Sequence, residues 1–184
     1  TFLNYPALCS LLFEYFNRKF GRESKRQLTV RKNLENLLKK KTAGGTTRDI
    51  FDLSLRFIDN ILATNFNAQR KQALAFKLDP ARNEEQRFAA KPFSIFYFYG
   101  LGFKGYHVRF SEIARGGVRI VRSNSPEEYI KNSDENFNEV FNLAYTQQKK
   151  NKDIPEGGSK GIILPDFGEN RFALIFKRYV DAML

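Results

Sequence analysis

A chain of 184 residues has room for one domain with a substantial core, and 42% apolar with 28% charged residues is ordinary for a soluble globular chain. No stretch approaches the roughly 18 consecutive apolar residues of a membrane-spanning helix, and a single cysteine, Cys9, excludes an internal disulfide framework and fits a reducing intracellular compartment. The net charge of +11 asks for an anionic partner, whether nucleic acid, an anionic surface or an acidic small substrate, while one cysteine with one histidine, His107, argues against a Cys/His metal site.

Thr1 rather than Met stands first, as in a piece of a longer protein. Residues 5–20 carry Tyr5, Leu8, Leu12, Phe16 and Phe20 at helical spacing, and Gly21 is a stop signal. A second helix is expected over 28–40, around Leu34, Leu37 and Leu38. After the glycine-containing loop 41–46, Thr47 is placed to cap a third helix with Asp49 in its first turn. Its stripe of Ile50, Phe51, Phe57, Ile58, Ile61 and Leu62 extends the expected helix to about Ala63.

The pattern then changes. Gln72 to Leu78 predicts a strand ended by Asp79-Pro80, and residues 80–91 form a polar connection. Phe93 to Tyr99 is a continuous aromatic run, expected to be a strand buried on both faces. Gly100-Leu-Gly-Phe-Lys-Gly105 has the letters of a dinucleotide fingerprint. That fingerprint must open a helix. Here it opens the strand-like alternation Tyr106 to Phe110, so it predicts a glycine turn between two strands.

Ser125-Pro126-Glu127-Glu128 is a helix start, with a capping Ser, Pro in the first turn and acids at the positive end of the helix dipole. Asn132 with Glu135 resembles a further capping box. The helix is expected to reach about Lys150, with Phe137, Val140, Phe141, Ala144 and Gln148 on one face. A strand Ile162 to Leu164 and a last helix from about Arg171 to Leu184 complete the chain. The class is α/β: a mixed sheet flanked by helices, preceded by a helical segment.

The basic residues fall into two sets. Those between Arg18 and Lys41 suit the solvated faces of helices. The second set is interleaved with glycine at three places: Arg115-Gly116-Gly117-Val118-Arg119, then Gln147-Gln148-Lys149-Lys150-Asn151, then Gly157-Gly158-Ser159-Lys160. Gln147 and Lys150, three apart, project together from the helix end, and Lys150 and Lys160 lie ten apart across a turn at Pro155. Cations beside glycine backbone can clamp carboxylates. Burial disfavours the charged form of a lysine and suits it to base chemistry, and Lys160 is followed by Ile162, Ile163 and Leu164.

ARGGVR followed by QQKKNKDIPEGGSKG resembles the substrate-binding domain of the glutamate/leucine/phenylalanine/valine dehydrogenase superfamily, and most of all the large NAD-specific glutamate dehydrogenases. The resemblance runs from about Thr64 to the end and is most specific over 106–161. It implies a helical N-terminal segment, 1–66, and a substrate-binding domain, 67–184, truncated at its C-terminal end. The implied reaction is oxidative deamination of L-glutamate to 2-oxoglutarate and ammonia. By position, Lys160 matches the catalytic lysine, and Gln147 and Lys150, with Asn151 after them, match the site of the substrate α-carboxylate. Lys149 is a rival for the Lys150 role. Arg115 stands where smaller enzymes of the superfamily keep a lysine for the side-chain carboxylate, and Gly116 and Gly117 match glycines that admit backbone to substrate. NAD is the implied cofactor, bound mainly by a Rossmann domain that, like the catalytic aspartate, lies downstream in such enzymes. The intact enzyme is expected to be a homo-oligomer of the cytoplasm or mitochondrion, with no nucleic-acid, membrane or metal partner, and the chain alone inactive. Two other readings compete. In a basic nucleic-acid or anion-binding module the aromatics would be exposed between basic residues. A dehydrogenase of an apolar amino acid would need an apolar group where Arg115 stands.

Overall fold

The computed structural model describes residues 2–21, 27–42, 44–82, 90–150 and 153–183. Asn151, Lys152 and most of the polar connection between Pro80 and Lys91 lie outside them, as do Arg22, Lys25 and Arg26 of the first basic set. The chain forms two compact units, residues 1–61 and 62–184.

The first unit is helical. A 3-10 turn, Phe2–Asn4, precedes α1 (Pro6–Phe20), α2 (Gln27–Lys41) and α3 (Thr46–Asn60). Their apolar stripes close on one core of Leu8, Tyr15, Val30, Leu34, Leu38, Phe51, Leu55 and Ile58. Tyr15 donates to Asp59 (2.5 Å), and the Arg31 guanidinium pairs with the same carboxylate (2.9 Å). The third helix departs from expectation at both ends. Its N-cap is Gly45, at φ 83°, and no side chain caps it. It stops at Asn60, and Ile61–Thr64 is a strand, β1. The helical spacing of Ile61 and Leu62 is overridden by pairing with the next strand, which leaves Leu62 half exposed.

The second unit is an open mixed sheet flanked by helices. Its strands are β2 (Ala73–Leu78), β3 (Ser94–Gly100), β4 (Phe103–Arg109), β5 (Ala114–Arg115), β6 (Val118–Ile120) and β7 (Gly157–Pro165). With β1 the order is β1-β2-β3-β4-β7, and both β5 and β6 pair with the outer side of β7. The β2–β3, β3–β4 and β4–β7 pairs are antiparallel, whereas β5 and β6 run parallel to β7. Gly100 pairs with Phe103 across the two-residue turn Leu101-Gly102, where Gly102 has φ 86°. The glycine sequence is thus a hairpin, not the mouth of a phosphate-binding helix.

The aromatic run is not buried on both faces throughout, and Phe96 and Tyr97 at its centre are only partly buried. Ile95 and Phe98 are inaccessible, but Phe93 precedes the strand and Tyr99 stands at the hairpin end, each about half exposed. β7 begins five residues earlier than the apolar run indicates. Gly157 to Lys160 has little intrinsic strand preference and is held extended by partners on both sides.

Helix α4 (Pro126–Lys149) starts where the capping residues place it, with Ser125 Oγ accepting from the Glu128 amide (3.1 Å). Asn132 is no second start: it lies inside the helix and donates to Ser123 Oγ (3.0 Å). α4 covers one face of the sheet, with Phe137 on Tyr106 (ring centroids 5.1 Å) and Phe141 on Phe110 (5.5 Å). α5 (Phe172–Met183) covers the other through Ala73, Ala75, Phe98, Phe103, Ile163, Ile175, Tyr179 and Ala182. Phe98 is fully buried between Phe103 and Tyr179. Phe98→Ala should therefore cost about 3–5 kcal/mol, the range for deleting a buried aromatic ring. A urea titration should show this as a lower midpoint for the second unit, with unchanged slope.

Candidate active site

The three glycine-associated basic motifs meet at the head of β7. Arg115 on β5 is paired with Gly158, and the Gly161 amide donates to the Gly117 carbonyl (3.1 Å), so the Arg115-Gly116-Gly117 turn runs alongside Gly158 to Gly161. The last turn of α4 packs against the same point. A Cβ on Gly158 would collide with the Gln148 nitrogen and the Ala144 carbonyl of that turn, so only glycine lets the helix end this close. The Gly158 amide donates to Gln148 Oε1 (2.7 Å), and the Gly157 amide donates to Ser111 Oγ (3.0 Å). Gly116 is likewise pressed on the Ser159 backbone.

Lys160 is half-buried on β7. Strand register puts its side chain opposite Val108, on the sheet face that α4 covers. The space a Gly117 side chain would fill opens toward the Lys160 amine, with 3.8 Å between Nζ and an ideal Cβ there. Among the described residues Lys160 has no ion pair and no side-chain hydrogen bond, and the same holds for the exposed Lys150, which closes α4 as its C-cap.

Among the described residues, the other basic groups around this site, including Arg109 and Arg122, are engaged. Arg119 pairs with Glu139 of α4 (2.8 Å), Arg122 lies over the Phe172 ring (4.1 Å) and Lys149 over the Tyr145 ring (5.2 Å), and Arg109 donates to the Glu112 carbonyl. Of the two rivals at the helix end, Lys150 is thus the uncommitted one. Arg115 is the most engaged. Its guanidinium donates to the carbonyls of Glu156 (2.5 Å), Gln147 (3.0 Å) and Lys150 (3.1 Å), and its buried Nε has no partner among the described residues. The fold therefore joins Arg115 to Gln147 and Lys150 through backbone, and Gly117 to Lys160. No hydrogen bond links the side chains of Gln147 or Lys150 to Lys160.

Gln148 and Ser111 are the residues that sequence reasoning missed. Gln148 carried a signal, as a polar residue on the same helical face as Phe141 and Ala144. Ser111 carried none. On the reverse face of the sheet, Gly161 rests on a His107–Tyr179 pair, whose Nδ1 and Oη are 2.5 Å apart. Burial, aided by the nearby Arg109 charge, lowers His107 from an ordinary 6.5 to about 4, and burial pushes Tyr179 up to about 12.

Two predictions follow from this packing. Gly158→Ala should destabilise the second unit by about 1–3 kcal/mol, the usual cost of overpacking, and should raise proteolysis at the end of α4 before the rest of the sheet. The unfolded chain takes up a proton near pH 6.5 and folded His107 only near 4, so the His107 contribution is complete above pH 6.5 and is lost as pH falls toward 4. Its size is about 3 kcal/mol. Denaturation midpoints between pH 7 and 4 should fall more steeply for the native chain than for His107→Phe.

Residues 35–171 match the family described as bacterial NAD-glutamate dehydrogenase, catalytic domain. The chain is 37% identical, over 99% of its length, to glutamate dehydrogenase 2 of Dictyostelium discoideum, and covers 18% of that protein. It is 47% identical over 70% of its length to the NAD-specific glutamate dehydrogenase of Saccharomyces cerevisiae, covering 12% of it. With that of Pseudomonas aeruginosa the identity is 33%, over 60% of this chain and 7% of the other. The chain thus spans less than a fifth of each of these relatives.

Proposed function

The chain belongs to the bacterial NAD-glutamate dehydrogenase catalytic-domain family, and from that membership we propose that it forms the substrate-binding and catalytic-lysine portion of an NAD-dependent glutamate dehydrogenase. The observation that carries the reading is the Lys160 amine facing the open backbone of Gly117, with Lys150 at the end of α4, neither having a side-chain partner among the described residues. The substrate-binding domain is read as residues 67–184, which lie within the second unit.

In this reading Lys150 and Gln147 hold the substrate α-carboxylate, where the end of α4 presents them. Gly116 and Gly117 let backbone approach the substrate. Arg115 adds positive charge for the side-chain carboxylate. The glycine-rich stretch 100–105 is a hairpin and offers no dinucleotide cradle. NAD, which would be the oxidant that accepts the hydride from substrate Cα, is read as held mainly by a part of the enzyme other than this chain. Oxidation leaves an iminium. Lys160 Nζ then takes a proton from the water that adds to its carbon, returns it to the amine so that ammonia departs, and takes up the hydroxyl proton as the carbonyl of 2-oxoglutarate forms.

In the intact parent enzyme, Lys160→Ala should lower kcat by about 10²–10⁴-fold, the range for a lost general base. Lys160→Arg should not restore it, because arginine keeps its proton in proteins. Steady-state assays with glutamate and NAD decide the matter. A fully active Lys160→Arg enzyme would show that position 160 only holds charge, and the catalytic assignment would fall.

A further inference from the structure

Arg115 spends three N–H donors on main-chain carbonyls, and those carbonyls lie on both sides of the turn that separates Lys150 from Lys160. Two belong to the end of α4, at Gln147 and Lys150, and the third, at Glu156, immediately precedes β7. We propose that Arg115 is a positioning residue: a cationic latch that ties the end of α4 and the entry to β7 to one rigid fork, and so holds the Gln147 and Lys150 side chains in fixed relation to Lys160.

The chemistry favours this. The last carbonyls of a helix lack intrahelical partners and carry the negative end of its dipole. At the end of α4 the Lys150 amide donates to the Gln147 carbonyl (3.3 Å), a long bond that leaves that oxygen a lone pair for a cation. A guanidinium presents donors in a rigid planar fork that can serve three carbonyls at once. An ammonium on a flexible stem carries the same charge without that geometry. The anchor of the fork is itself built in. Arg115 stands on β5, whose pairing with Gly157 and Gly158 sets it directly beside the turn. The latch is independent of the clamp made by Gln148 and Ser111 on the two amides at the head of β7, because those bonds use different atoms.

The consequence for catalysis rests on the proposed glutamate site; the latch itself does not. The test uses the full-length parent enzyme and Arg115→Lys, which keeps the charge. Hydrogen exchange of the amides at Gln147–Lys150 and Asp153–Gly158 should quicken about 10- to 100-fold, the equivalent of one or two lost charge-assisted hydrogen bonds. Exchange in β3 and β4 should not change. KM for glutamate should rise by a similar factor, with kcat changed much less. Arg115→Gln, which removes the charge but keeps a donor, should give the same confined loosening. Unchanged exchange around the turn would overturn the proposal, as would an unchanged KM in Arg115→Lys. Acceleration spread evenly through β3 and β4 in both variants would also overturn it, since Arg115 would then support the whole fold and not the turn. A wild-type parent without glutamate turnover would remove the functional reading alone, and the exchange measurement would still decide the latch.

Discussion

Everything in the candidate site depends on how close the last turn of α4 comes to the backbone of β7 at Gly158. The space of the missing side chain is filled by the Ala144 carbonyl and the Gln148 nitrogen, and the Gly158 amide is taken by the Gln148 side chain. Any other residue would push the helix end outward. The C-terminal carbonyls of α4 would then leave the reach of Arg115, and Gln147 and Lys150 would move away from the strand that carries Lys160. A single missing Cβ thus brings a helix end, a parallel edge strand and a central strand to one point, where the helix supplies partial negative charge and the edge strand a guanidinium.

The distribution of commitments among the cations gives the site its character. The chain carries a large positive excess, yet around β7 most of the basic groups are engaged by a carboxylate, an aromatic face or main-chain carbonyls. Exposed ion pairs such as Arg119 with Glu139 add at most about 1 kcal/mol to stability. Their effect here is arrangement: they fix where charge is already answered, and so leave Lys150 and Lys160, among the described residues of the site, without an internal partner. A surface meant for a polyanion would instead present its basic groups in common to solvent. The reverse face of β7 is stiffened differently, by Gly161 resting on the buried pair of His107 and Tyr179, both of which burial holds in their uncharged forms.

What could be read from the sequence was whatever is set by neighbours along the chain. The start of α4 was legible because Ser125 caps an amide three residues on and Pro126 occupies a position that needs no donor. The helical character of the first unit followed from its apolar periodicity, and Gly100 to Gly105 was legible as a turn because the alternation after it is that of a strand. The residue types of the candidate site were legible too, since lysines and arginine set beside glycines form a recognisable order. Tertiary structure decided the rest. β1 and the first four residues of β7 are strands because sheet partners satisfy their backbone, although helical spacing in one and glycine in the other argued against it. The employment of Arg115 was hidden for the same kind of reason: its three carbonyls lie 32, 35 and 41 residues away along the chain. Main-chain carbonyls are present at every residue, so no side-chain pattern can mark which of them a guanidinium will meet; only the docking of α4 on Gly158 selects them.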